Sequence, residues 1–176
     1  FLVNASDVTI KNLTIKNANY TEEGGAIFFT MSGTVTGCSF VNNVAFEGGA
    51  VGFYDDGTVI NCCFVNNTAS DEGGAIWFYD DGAVINCSFV NNTASDDGGA
   101  ICFYDDYIIE DSTVTNCNFT DNSASRGGGA VYFYTTGNVT NCNFTNNTAK
   151  CDGGGIRMII GSVEKCNFTN NTAKCD

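Results

Sequence analysis

Gly73-Gly74-Ala75-Ile76-Trp77-Phe78-Tyr79-Asp80-Asp81-Gly82-Ala83-Val84-Ile85-Asn86-Cys87-Ser88-Phe89-Val90-Asn91-Asn92-Thr93-Ala94 holds one complete copy of a unit that recurs along the chain. Working outward, Gly-Gly-Ala begins again at Gly24, Gly48, Gly98 and Gly128, and a Gly-Gly-Gly variant starts at Gly153. The successive intervals are 24, 25, 25, 30 and 25 residues. Cys87-x-Phe89 has counterparts at Cys38, Cys62, Cys117, Cys142 and Cys166, and Leu13/Ile15 stand in the same slot of a degenerate first copy. Within the unit, the slots of Ile76 and Phe78 stay apolar, whereas the slot between them holds Phe28, Gly52, Trp77, Cys102, Tyr132 and Arg157 in turn. That is period-2 alternation with one buried face. The second run keeps Val84, Cys87 and Phe89 apolar, and the three-residue step between the first two breaks the alternation at Asn86. Asn tolerates the left-handed conformation, so a bend is expected there, with Asn61, Asn86, Asn116 and Asn141 stacked on it.

Two or three short strands per copy, at a period of 24–25 residues, predict an all-β parallel β-helix of about seven coils. It forms a single domain over residues 1–176, with a degenerate first coil at 1–23. One coil is longer, and the extra residues near 107–111 are expected to leave it as a loop. A leucine-rich repeat would need a Leu lattice, and only Leu2 and Leu13 are present. Helical repeats are excluded by the lack of 3.6-residue periodicity and by Gly and Asn every few residues.

Composition narrows the chemistry. Seven Lys and Arg stand against 20 Asp and Glu, a net charge of -13. That excludes a nucleic-acid partner, because nothing neutralises a phosphate backbone. The absence of His removes His-based triads and His-ligated zinc. No apolar run reaches the ~18 residues of a membrane span, so no membrane insertion by this segment is expected.

Gly73-Gly74-Ala75-Ile76 paired with Phe89-Val90-Asn91-Asn92 resembles the repeats of chlamydial polymorphic outer-membrane proteins. Val84-Ile85-Asn86-Cys87-Ser88-Phe89 and Phe144-Thr145-Asn146-Asn147-Thr148-Ala149 are closer still to the adhesin-like proteins of methanogenic archaea. The resemblance covers nearly the whole chain from about Val8. It implies a right-handed β-helix, extracellular or at a cell surface, that is structural or adhesive. Its partners would be a host or partner-cell ligand, or further copies stacked end to end into a filament. The residues themselves point away from an enzyme, since Arg126 and Arg157 are the only Arg to grip an acidic sugar and no long loops wall a groove. The chain begins mid-coil and stops where the next Gly-Gly would fall, as expected of a segment of a longer protein or of a stacking unit.

The residues that could carry function are these. Tyr54, Tyr79, Tyr104 and Tyr134 share an outward slot, flanked by Trp77 and Tyr132, and form the expected ligand-binding face. Asp55, Asp56, Asp80, Asp81, Asp105 and Asp106 make acidic turns that suit Ca²⁺ or plain solvent. The opposite turn carries Glu22-Glu23, Glu47, Asp71-Glu72 and Asp96-Asp97. Among the Asn-x-Ser/Thr sites, Asn118, Asn143 and Asn167 occupy an outward slot and are the expected glycosylation sites of a secreted protein. Asn66, Asn91, Asn146 and Asn170 are expected to point inward or to form turns. Cys151 and Cys175 sit in matching turns of adjacent coils, as a disulfide requires. The six-Cys column reads either as reduced core packing or as an oxidised ladder, and Cys63 and Cys102 read as outward thiols. Polysaccharide binding or cleavage is the alternative function, since paired Asp can hydrolyse glycosides.

Overall fold

The computed structural model describes residues 1–104 and 112–174. The repeat closes into coils. The copy quoted above supplies four strands, Ile76–Phe78, Gly82–Ile85, Ser88–Val90 and Thr93–Ala94, one more than the two or three expected. Each strand pairs in parallel with its counterparts in the coils before and after, in register: Ile76 with Val51 and Ile101, Val84 with Val59 and Val114, Phe89 with Phe64 and Phe119. The result among the described residues is four sheets of seven, seven, seven and six strands. The sheet of six lacks a strand from the first coil, which keeps only an isolated bridge from Asn19 to Val44. No described helix is long and apolar enough to cross a membrane.

In-register stacking turns each repeated residue into a column. Phe53, Phe78 and Phe103 stack with ring centroids 4.8–5.0 Å apart, and Phe64, Phe89 and Phe119 do the same at 4.8–4.9 Å. These rings, the Ile/Val slots and the Cys column fill the interior and are buried in all but the end coils. The Cys column is a line of thiols. The Cys87 sulfur accepts the Cys62 N–H at 3.3 Å and lies 3.2 Å from the Ile85 carbonyl. Hydrogen bonding to the next thiol in line, with burial, pushes Cys87 and Cys117 up to about 12, so both stay protonated and unreactive.

The turns account for the remaining constants. Asn61, Asn86, Asn116 and Asn141 all take positive φ at the expected bend. So do Asn66, Asn91, Asn146 and Asn170, which form turns with exposed side chains. The inward side chains belong to the residues that follow them. Asn67 donates to Asn92 Oδ1 at 3.0 Å, Asn92 to Asn122 and Asn122 to Asn147 at the same distance, and each also donates to a Phe carbonyl at 3.1 Å. Every amide group is satisfied by the coils beside it, which is what permits a polar column in the core. The Gly-Gly pair is also explained. Gly73 has φ +63°, and a Cβ at Gly74 would stand 2.1 Å from the Gly99 carbonyl oxygen of the next coil.

The expected loop at 107–111 lies outside the described residues.

Candidate functional site

Two turns flank the short first strand of each coil. The acidic turn ends at Gly-Gly, and the Tyr-Asp-Asp turn begins after Phe. The slot of Trp77 faces away from the core between them. Strict alternation makes that slot outward, but Trp77, Cys102 and Tyr132 are only 5%, 0% and 3% exposed. They form a second, smaller cluster against Tyr79 and Tyr104. The expectation of exposed Trp77, Cys102 and Tyr132 is thus corrected. The strand is only three residues long, so both flanking turns fold over its outer side.

Tyr54, Tyr79, Tyr104 and Tyr134 do form one outer ladder. Tyr54 and Tyr79 stack at 4.7 Å, Tyr79 and Tyr104 at 5.9 Å, Tyr104 and Tyr134 at 5.3 Å. Tyr54 and Tyr134 are exposed, whereas Tyr79 and Tyr104 are half-buried. Across the strand runs an acidic column of Glu23, Glu47, Glu72 and Asp97, held in line by backbone bonds such as Gly48 N–H to Glu72 O and Gly73 N–H to Asp97 O. A parallel column carries Phe46, Asp71, Asp96 and Arg126. Between acids and tyrosines lies a cleft of about 470 Å³, lined by Glu23, Glu47, Asp71 and Glu72, by Tyr54, Tyr79 and Tyr104, and by Trp77.

Crowding marks the electrostatics. Burial, then the neighbouring Glu72, Glu23 and Asp71, push the Glu47 carboxyl up to about 7. Burial likewise pushes Glu72 up to about 7, against hydrogen bonding from Cys102 that favours its charged form. The Cys102 thiol donates to Glu72 Oε2 at 3.4 Å. Trp77 Nε1 is buried and has no hydrogen-bond partner. Burial also raises Asp71 and Asp97.

Farther along, the same groove contains its own cations. Arg126 Nη1 lies 2.9 Å from Asp96 and 3.3 Å from Asp97. The Arg157 guanidinium lies over the Tyr132 ring, 4.9 Å from its centroid, and its Nε is 3.5 Å from Asp152. Residues 17–125 contain neither Lys nor Arg, yet they hold most of the 20 carboxylates.

A family model described as a right handed beta helix region matches residues 1–175. The chain belongs to that family. The β-helix is therefore right-handed, as the resemblance of its repeats implies. No curated protein and no solved structure gives a match.

Other expected sites fall elsewhere on the β-helix. Carboxylates of Asp55, Asp56 and Asp80 lie within 4.8 Å of one another, and exposed turns of this kind also occur with no ion bound. Asp81 instead accepts from Ser112 Oγ at 3.4 Å, and Asp105 and Asp106 lie outside the described residues. Asn118, Asn143 and Asn167 are exposed and joined by side-chain hydrogen bonds of 2.8 and 2.9 Å. Cys63 is exposed. Cys151 is half-buried, and its expected partner Cys175 lies outside the described residues. The acidic column was visible in sequence as a run of turns. Its meeting with the tyrosines was not, although the freely varying slot of Trp77 lies between the two columns.

Proposed function

We propose that this β-helix is a non-enzymatic module of a cell-surface or extracellular protein, structural or adhesive, which presents the aromatic and acidic groove to a ligand on a partner surface. One observation carries this reading. The core columns repeat almost unchanged, and outside them three stacked tyrosines face four carboxyl side chains across one cleft. Similarity to archaeal adhesin-like and chlamydial outer-membrane repeats supports the surface placement. So do the exposed sequons at Asn118, Asn143 and Asn167, which are suited to glycosylation. Ca²⁺ bridging Asp55, Asp56 and Asp80 would stiffen the rim of the same face. The test is binding of the purified protein to arrays of cell-surface glycans and peptides. Tyr54→Ala with Tyr79→Ala should abolish the signal. An array with no signal, or one the double variant leaves unchanged, contradicts the reading.

A filament role has its own support. Val163 and Phe168 stand in core columns but are 43% and 49% exposed, so a further coil in register would cover them, from a longer chain or from another copy. Negative-stain microscopy distinguishes uniform fibres from isolated rods. Polysaccharide cleavage is favoured by one feature, carboxyls held near neutrality beside aromatic faces. That reading requires release of reducing ends that Glu72→Gln abolishes.

A further inference from the structure

The groove is half filled by the protein itself. Arg126 spans Asp96 and Asp97, and Arg157 packs its guanidinium on Tyr132 while reaching Asp152. Carboxylate on one side and aromatic face on the other is thus the setting that Arg157 occupies, while Arg126 is held by carboxylates alone. One and two coils earlier, the same columns carry Glu47, Asp71 and Glu72 opposite Tyr54 and Tyr79, and residues 17–125 contain no Lys or Arg to meet them. The space between is a cleft of about 470 Å³.

We propose that this open half of the groove receives guanidinium or alkylammonium side chains from an extended basic segment of a partner protein. The proposal rests on the reading of this face as the binding face and names its ligand.

Three observations favour an organic cation over the alternatives. Four carboxyl groups along one side repel an anion. A bare metal ion asks for oxygen ligands around it. Glu72, Asp96 and Asp97 bring three carboxylates within 4.8 Å of one another, but Arg126 already holds Asp96 and Asp97, and the rest of the cleft sets oxygen against aromatic faces, which attract organic cations. Trp77 is 5% exposed and its Nε1 has no partner, while Cys102 already donates to Glu72. The Cys102 thiol favours a charged Glu72, and a cation above it completes that state. A peptide is favoured over a free amine because the acids form a row along the coil axis. Coils repeat about every 4.8 Å, and an extended chain presents side chains on one face about every 6.6 Å, so consecutive basic residues can engage different acids.

Occupancy also couples to protons. Glu47 faces Glu23, Asp71 and Glu72, while Glu72 faces Asp71, Asp97 and Cys102, and both carboxyls are raised to about 7. A bound cation lowers them, so affinity rises between pH 6 and 8 and binding releases protons.

Trp77 is the single Trp of the chain and lines the cleft, so its fluorescence reports occupancy directly. The probes are a hexa-arginine peptide, its neutral hexa-citrulline counterpart and arginine amide, titrated at about 150 mM salt, where charges farther apart than ~8 Å are screened. Hexa-arginine should shift the Trp77 emission and bind at least about tenfold more tightly than hexa-citrulline, a difference that Glu47→Gln with Glu72→Gln removes and Asp55→Asn with Asp56→Asn retains. No Trp77 response at pH 8, or equal weakening by both double variants, overturns the proposal. Arginine amide binding as tightly as hexa-arginine overturns the peptide source. If array binding still depends on Tyr54 and Tyr79 while hexa-arginine has no effect, the groove remains the binding face and its cationic ligand is refuted. If neither probe responds, both readings fall.

Discussion

The groove has two halves built on one backbone. Around Tyr132, the acids Asp96, Asp97 and Asp152 meet Arg126 and Arg157. Around Trp77, Glu47 and Glu72 meet mainly each other and the neighbouring acids, and both are pushed up to about 7. The core beneath is the same in each, with Phe78 and Phe103 in one stacked column. The contrast teaches that a solenoid keeps its stability in repeated columns and its individuality in outward slots such as that of Trp77. A residue in that slot does not affect the register of its neighbours, so it is free to diverge.

The largest expected effect tests whether the core is indeed common to both halves. Phe78→Ala and Phe103→Ala should each cost about 3–5 kcal/mol in chemical denaturation, and by the same amount. Unequal costs would mean that the halves differ below the groove as well. Next, Arg126→Met removes the cation between Asp96 and Asp97, whose side chain is 2% exposed and also accepts the Gly127 N–H at 2.7 Å. The loss should be about 2 kcal/mol at pH 8, between the values for surface and buried pairs, and smaller at pH 4.

The open half should show the opposite pH response. Glu47 and Glu72 are raised from 4.5 to about 7, so the folded state holds these protons more tightly than the unfolded chain. Their contribution to stability is full below pH 4.5 and is lost as pH rises through about 7. Glu47→Gln and Glu72→Gln should each recover about 1 kcal/mol at pH 8 after solvent screening and flatten thermal midpoints measured from pH 5 to 8. The smallest effect comes from copying the filled half into the open one. Asp71 shares a column with Arg126, and Asp71→Arg should stabilise by about 0.5–1 kcal/mol at pH 8 and block hexa-arginine binding.

Much of this was legible from the repeat. The Ile76, Phe78, Val84, Cys87 and Phe89 columns follow from recurrence plus alternation, and the bend at Asn86 follows from the broken step. The inner Asn ladder left a trace too. At the fourth full copy the turn residue changes to Asp121 while Asn122 is kept, because the turn needs only a positive φ but the ladder needs both amide groups. Burial of Trp77 was not legible. Alternation gives the direction of a side chain relative to its own strand and says nothing of two turns closing over it. Nor could spacing show that Glu47 and Glu72 lie in one cleft with Tyr54 and Tyr79, since that depends on how tightly a three-residue strand is flanked.

The most direct test of the contrast is a ¹³C NMR titration of the Glu47 and Glu72 carboxyls, with and without hexa-arginine. The account predicts free midpoints near about 7 that fall toward ordinary glutamate values when the peptide binds. Midpoints already near about 4.3 in the free protein, and unmoved by the peptide, would contradict it.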